Sequence, residues 1–553
     1  MNKEKTSISV KIMFILGILV NIKSIFVDYD GDAGYAFAMA SRLLNGDKMF
    51  VGMWEPHQTS AIFTAIFMKL YKTVFATTDG VVLFLNTVNF LFYLAVTIFA
   101  IKTFSKFVNK NASVMMGIVL LVLRPKIAQT FDYANLTIIF SAMFFLLLIR
   151  YLVCEHKLWT LILSAVFLCF NVLAYPTAAI LYMGMLICIF AYSEHKLRDF
   201  LISSGTCFIL GGVYVGYFAI TIGLKNLIDS VGNIVSADSH SGASVYTGAS
   251  YFKEFAIGTV VILVSVVLAY LTYLLINRGS KKKNFEVILA FFYAGLVIAE
   301  SFIVPVLFKG ENLGTWSLDR ICLFAVAVFG LLGYRYLDGA EKKIYIIGML
   351  TSILTFISVL LLTNLPFITA FGYFHIAAMV SIMSLSVKAG RTATEGDSNT
   401  LGYLCVATLV ILLFSQGRAN IIGVENYIRT GPRKWSVSTL ADCNKNRISS
   451  DEWKAELTDN DAVLIVKTNG IDPIYYMFSD AKAATNSTIS TPTYGEGLQH
   501  YWELNPDRVP TVIAIPCWDG VEEGNPPKWI SDMIADEYAL DTQGTFWNFY
   551  RKK

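Results

Sequence analysis

About 13 apolar runs of roughly 20 residues each, joined by mostly short loops, dominate this chain, and each run is long enough to cross a bilayer as an α-helix. They lie near 9–27, 82–104, 112–130, 134–152, 158–175, 177–193, 199–223, 255–277, 285–307, 318–337, 343–365, 367–387 and 399–415. In hydrocarbon no water satisfies backbone N–H and C=O groups, so runs of this kind must be helical. Composition agrees: 55% of the 553 residues are hydrophobic and 15% are charged, against about 25% charged in soluble domains. A net charge of +3 gives no reason to propose nucleic acid as a partner.

Every alternate loop is rich in Lys and Arg. One side collects Lys3, Lys5, Lys11, Lys102, Lys106, Lys110, Arg150, Lys157, Lys196, Arg198, Arg278, Lys281, Lys282, Lys283, Lys342, Lys343, Lys388 and Arg391. Short loops of this composition stay in the cytoplasm. The pattern therefore predicts a multi-pass cell-membrane protein with a cytoplasmic N-terminus, and the chain after Phe414 emerges outside. The first apolar run lacks a small-residue cleavage site and is expected to remain as the first helix. The segment 58–76, with Lys69, Lys72 and a polar start, reads as an amphipathic element on the outer surface rather than a span.

The expected fold class is an all-α polytopic membrane protein with a small α/β extracytoplasmic C-terminal domain. Residues 1–417 form the membrane module, with a first outer loop at 28–81, and residues 418–553 form the outer domain. There, apolar runs at Ala462–Val466 and Thr511–Ile515 read as strands, and 449–457 and 527–536 as helices. The eight cysteines show no zinc spacing. Cys443 and Cys517 share the outer domain, where a disulfide is chemically permitted and free thiols are the alternative. Aromatics around Tyr494, Tyr501 and Trp502 serve either sugar stacking or ordinary core packing.

The first outer loop concentrates ionisable residues. Asp28-Tyr-Asp30-Gly-Asp32-Ala-Gly34-Tyr35 is followed by an apolar-periodic stretch to Leu44, then Asn45-Gly46-Asp47 and Trp54-Glu55-Pro56-His57-Gln58. A carboxylate at a membrane exit can act as a base for an incoming hydroxyl or amine, or hold a divalent cation. Helix capping is the simpler reading of such an Asp cluster.

The order Asp-x-Gly-Tyr, an amphipathic helix ending in Leu-Leu-x-Gly, a Pro-His pair and a further amphipathic segment resembles the first outer loop of GT-C glycosyltransferases. Within that superfamily it looks like the protein mannosyltransferase and aminoarabinose transferase group. The resemblance runs over roughly residues 8–220, with its motifs in the first 60. It implies transfer of a sugar from a polyprenyl-phosphate carrier to a glycan, lipid or protein acceptor at the outer face. It assigns the essential acidic role to Asp32, with Asp30 as second choice, although Ala33 stands where the family has Glu. His57 matches the family's His, with Gln58-Thr59-Ser60 in place of its prolines, and is a candidate ligand for a phosphate or the acceptor, as is Tyr35.

Beyond the loop, Arg124 and Lys126 are candidate partners for the carrier phosphate, or snorkel to lipid headgroups. Asp132 is either a second acidic element or a helix cap. Arg320 is a further candidate for the phosphate, or pairs locally with Asp319. Glu300 and His375 lie inside spans and should face protein or a water cavity. The loop 224–252 reads as mobile and suited to cover an acceptor entrance. No residue pattern demands a metal, and Mg or Mn at the acidic loop is compatible with the chemistry. A transporter or flippase of lipid-linked saccharides is the alternative function, and a scaffold role a third.

Overall fold

A computed structural model describes residues 6–26, 31–123, 130–236, 315–361, 370–392, 400–418, 451–466, 473–488, 496–518, 521–522 and 526–553, with scattered positions between 256 and 296. The helices of the first half are α1 (Ile8–Ile25), α2 (Gly31–Leu44), α3 (Ala61–Phe75), α4 (Val81–Phe104), α5 (Lys110–Val122) and α6 (Tyr133–Ile149). They continue with α7 (Leu158–Ala174), α8 (Ile180–Tyr192), α9 (Lys196–Thr221) and α10 (Leu224–Ser236). Later come α11 (Thr315–Gly333), α12 (Gly339–Leu360), α13 (His375–Thr392), α14 (Thr400–Arg418), α15 (Glu496–Leu504) and α16 (Lys528–Glu537).

Among the described residues, five helices are long and apolar enough to span a membrane: α1, α4, α6 with its π-helical extension to Glu155, α9 and α12. Shorter apolar helices at 110–122, 158–174, 176–192, 322–336 and 406–417 fall on further expected runs. The expected spans at 255–277 and 285–307, and Glu300 with them, lie largely or wholly outside the described residues. Residues 224–236, expected as part of a mobile loop, instead form α10. Leu224, Leu227, Ile228, Val231 and Ile234 recur at helical spacing there, and Leu227 and Ile234 pack on Met49, Phe50 and Phe218; Asp238 and His240 lie outside the described residues.

Caps fix where the helices begin. Ser7, Asn109 and Asp132 each accept a bond from a first-turn N–H, and Asp338 with Glu341 forms a capping box on α12. Arg391 at the end of α13 pairs with both Asp338 (2.6 Å) and Glu341 (3.2 Å). Inside the bundle, Asn21 donates to the carbonyls of Gly17 and Leu121, which ties α1 to α5. His375 is fully buried with Nε2 3.2 Å from Ser141 Oγ, the protein-facing position expected of it.

Small residues let α11 and α13 approach closely, as is usual where helices pack without a hydrophobic driving force. A Cβ at Gly330 would stand 2.7 Å from the Cα of Ser381, and Ser384 Oγ donates to the Gly330 carbonyl at 2.9 Å. Gly330→Val is therefore expected to force the two helices apart at a cost of about 1–3 kcal/mol. A lowered unfolding midpoint of the purified protein in lipid is the measurement, and an unchanged midpoint would refute this close packing.

The C-terminal part folds on a six-stranded sheet of order β2-β1-β3-β6-β5, with β4 pairing β3. The strands are β1 (Ala462–Ile465), β2 (Lys482–Ala483), β3 (Val512–Trp518), β4 (Val521–Glu522), β5 (Tyr538–Gln543) and β6 (Trp547–Lys552). β1 is parallel to β2 and β3, whereas β6 is antiparallel to β3 and β5. The two expected strands are β1 and β3, and α16 falls on the expected helix at 527–536. The chain is thus a helical membrane protein with a small α/β unit near its C-terminus.

Asp461, just before β1, holds the sheet to its last strand. It accepts from the Thr458 N–H and Oγ1 (both 2.8 Å) and pairs with Arg551 Nη1 at 2.8 Å. Burial raises its pKa, but the Thr458 donors and Arg551 outweigh this and hold the carboxyl below its usual 3.8. A lowered folded pKa contributes stability that is complete above the unfolded value and is lost as pH falls through the folded one. Asp461→Asn should therefore destabilise the sheet at pH 7, and the gap to the parent protein should close as pH drops below 3.8. Unfolding followed by Trp fluorescence against pH tests this; a gap that persists at acid pH would refute it.

Candidate functional site

α2 starts the site. Asp32 stands half-buried in its first turn, where the helix dipole favours a negative charge. Ala33, at the position where the resembled family has Glu, is fully buried in the main core. A carboxylate there would lose its water. Tyr35, one turn after Asp32, is also buried, and its ring packs with Met39, Ala61 and Tyr133.

The chain then turns back through residues 45–60 and brings His57 against the same aromatic group. The His57 ring stacks on Tyr133 with centroids 3.9 Å apart and planes at 2°. Tyr175 closes on it from another side at 4.9 Å. Thr64 Oγ1 donates to the carbonyl of Phe131 at 2.9 Å, which anchors α3 to the entrance of α6. Asp132 is fully buried and caps α6, accepting from the Asn135 N–H (2.8 Å) and side chain (3.0 Å). Tyr93 donates to Asn135 from behind at 3.0 Å.

Beneath this group lies a buried set of charges that links the first loop to the C-terminal sheet. Arg42 Nε pairs with Asp47 Oδ2 at 2.7 Å, and its Nη1 lies 3.5 Å from Glu55. Its Nη2 donates to the carbonyls of Gly52 and Thr485. Asp47 also pairs with Arg508 at 2.6 Å. Glu55 accepts from Ser487 Oγ (2.6 Å), the Thr488 N–H (2.6 Å) and Thr488 Oγ1 (3.1 Å). Tyr501 donates to the Gly52 carbonyl at 2.9 Å with its ring edge-on to Trp54, and the Trp54 N–H donates to Asn486.

Burial pushes the Glu55 carboxyl above its ordinary pKa, against the pull of Arg42, Ser487 and Thr488. Tyr35 is raised well above the usual phenol value by burial and by the charge of Glu55 beside it. For Arg42, burial alone would lower the pKa, but Asp47, Tyr501 and Glu55 outweigh it and keep the guanidinium charged. Burial lifts Tyr501 to about 12. These directions describe a desolvated ion cluster with most of its lone pairs taken, which is the condition under which buried charges are tolerated.

Of the residues singled out in the sequence, the structure brings Tyr35, His57 and the Asp132–Tyr133 corner together. Asp32 is on the same helix as Tyr35, three residues earlier. Arg320 is buried on α11, which packs on α13 and α14. Asp30, Arg124 and Lys126 lie outside the described residues, as do Cys443 and Tyr494. Tyr501 and Trp502 are core residues, and Trp502 Nε1 donates to the Ala484 carbonyl at 3.1 Å. Arg42, Asp47, Glu55 and Arg508 were not anticipated as a unit; their one sequence signal is an Arg inside the apolar stripe of α2.

Among the described residues no three His, Cys, Asp or Glu side chains converge as a metal set. Asp132 is engaged by Asn135, and Glu55 by Ser487, Thr488 and Arg42.

No family model matches the sequence, and no curated protein matches it. Among solved structures, the chain is similar to the oligosaccharyltransferase of Archaeoglobus fulgidus tethered to an acceptor peptide, at 13% identity and a TM-score of 0.43 over 92% of this chain and 69% of that one. It is also similar to ArnT from Cupriavidus metallidurans, at 11% identity and a TM-score of 0.43 over 98% of this chain and 97% of that one. ArnT has also been solved bound to undecaprenyl phosphate.

Proposed function

We propose that this chain is a membrane glycosyltransferase that moves a sugar from a polyprenyl-phosphate carrier to an envelope or secreted acceptor on the first-loop side of the membrane, with Asp32 as its base. One observation carries the reading. Of the carboxylates described in residues 31–81, Asp47 and Glu55 are buried and Asp79 lies beyond the end of α3, whereas Asp32 stands half-exposed in the first turn of α2. That position offers a partly exposed carboxylate one turn before Tyr35, whose ring packs against Tyr133.

In this reading an acceptor hydroxyl or amine gives its proton to Asp32 while its oxygen or nitrogen attacks the anomeric carbon. The bond from that carbon to the phosphate oxygen breaks, and the carrier phosphate departs with the electron pair. Cations serve this leaving group, with Arg320, Arg124 and Lys126 as the candidates. A single displacement inverts the anomeric centre. His57, held flat against Tyr133, orients the acceptor or a phosphate oxygen.

The test uses purified protein in lipid vesicles supplied with radiolabelled polyprenyl-phosphate sugars and a crude envelope acceptor fraction. Label that leaves the carrier for the acceptor supports transfer. Label that crosses the bilayer still attached to its carrier replaces this reading with transport of lipid-linked saccharide.

A further inference from the structure

A cavity of about 540 Å³ opens where the end of α2 and the following turn meet α3 and the last turn of α9. Its walls are mainly apolar, with Ile62 and Ile66 of α3 and Tyr217 and Phe218 of α9; Thr221 and Asp47, the latter already paired with Arg42 and Arg508, also line it, and Lys48 and Lys69 stand at its rim. Both lysines are exposed, and neither forms an ion pair or side-chain hydrogen bond among the described residues. This cavity is separate from the His57–Tyr133 stack.

What covers it follows from its surroundings. Val213 and Ile220 stand exposed along α9 beside it, as do Ile66 and Leu70 on α3. α9 is apolar over a membrane-spanning length, so this exposed surface is the one that faces acyl chains. Tyr217 sits near the end of that helix, at the depth where aromatic belts meet headgroups. Apolar walls continuous with the lipid-facing surface, under two cations at headgroup depth, match a phosphodiester on a long hydrocarbon tail. A water-borne peptide would meet acyl chains on that open side.

We propose that this groove is a binding site for an anionic phospholipid of the adjoining leaflet, its phosphate between Lys48 and Lys69 and one acyl chain along Ile66 and Tyr217. The site stands independently of glycosyl transfer. Bound there, a lipid would brace the loop that carries Asp47 against α3 and α9.

The full-length protein is placed in phosphatidylcholine nanodiscs containing a trace of phosphatidylglycerol with a photoreactive acyl chain. Labelling is expected within residues 62–70 and 213–222, and should exceed that by a phosphatidylcholine probe of the same chain about tenfold. Lys48→Gln with Lys69→Gln should remove this preference, and Lys48→Arg with Lys69→Arg should keep it. Equal labelling by the two probes in the unaltered protein would overturn the proposal, whatever the variants do. So would a Gln pair that retains the preference, or loss of labelling on adding equimolar polyprenyl phosphate, which would give the groove to the carrier.

Discussion

Asp32→Asn is expected to lower sugar transfer by about 10²–10⁴-fold, the range for removing a positioned general base, while the protein stays folded. Asn is nearly isosteric with Asp, and a neutral side chain in the first turn of α2 forfeits a helix-dipole contribution of about 0.3–1 kcal/mol. The rate, unlike the stability, should collapse, because a neutral amide cannot take the acceptor's proton. Asp32→Glu should retain part of the activity, since the carboxylate survives with its reach altered. A rate within about tenfold of the parent for Asp32→Asn, at equal folded amount, would remove Asp32 from the base role. In that case Asp30→Asn is the next variant to measure.

Much of the membrane part is legible because hydrocarbon leaves so few options. A run such as 82–104 has no structure open to it except a helix, and the structure shows α4 at Val81–Phe104. The segment 58–76 is likewise readable as largely helical. α3 buries Ala61, Thr64, Ala65 and Met68 and exposes Lys69, Leu70 and Val74. α10 was hidden by averaging: Gly and Ser in residues 237–250 dilute an apolar spacing at 224–234 that is helical when read alone.

The sheet shows the same division. β1 and β3 are continuous apolar runs buried on both faces, the easiest strands to read. The β5–β6 hairpin was missed because β5 is largely exposed and polar. Its signal was the aromatic-rich run Phe546-Trp547-Asn548-Phe549-Tyr550 after Gly544, residues that favour strands.

The charged cluster beneath the site could not be read from the sequence, for a topological reason. Arg42 meets Thr485, Asp47 meets Arg508, and Glu55 meets Ser487 and Thr488, all more than 430 residues apart in the chain. Local spacing says nothing about such pairs. His57 is a similar case: its place beside Asp-Tyr at 132–133 rests on the packing of α3 against the start of α6, which no motif within the first loop encodes. Function, on this reading, depends on a helix that carries Asp32 and is clamped at its far end by the sheet.

Arg42→Met tests that clamp, and the loss should be about 3–5 kcal/mol of stability. Removing the guanidinium leaves Asp47 with Arg508 alone and Glu55 with neutral donors only, while the carbonyls of Gly52 and Thr485 lose a buried partner. Met fills much of the same volume, so the effect reports charge and hydrogen bonding more than a cavity. Arg42→Lys should rescue little, because a single ammonium cannot serve two carboxylates and two carbonyls at once. Glu55→Gln in the Arg42→Met background should cost less than in the parent, with a coupling of about 0.5–3 kcal/mol, since each then lacks the partner it would have lost. Unfolding in lipid gives the stabilities, and protease access to residues 473–488 reports whether the sheet lifts from the loop. Should Arg42→Met unfold with the parent protein and keep that segment protected, the cluster does not hold loop and sheet together, and the position of Asp32 must be fixed by the membrane helices alone.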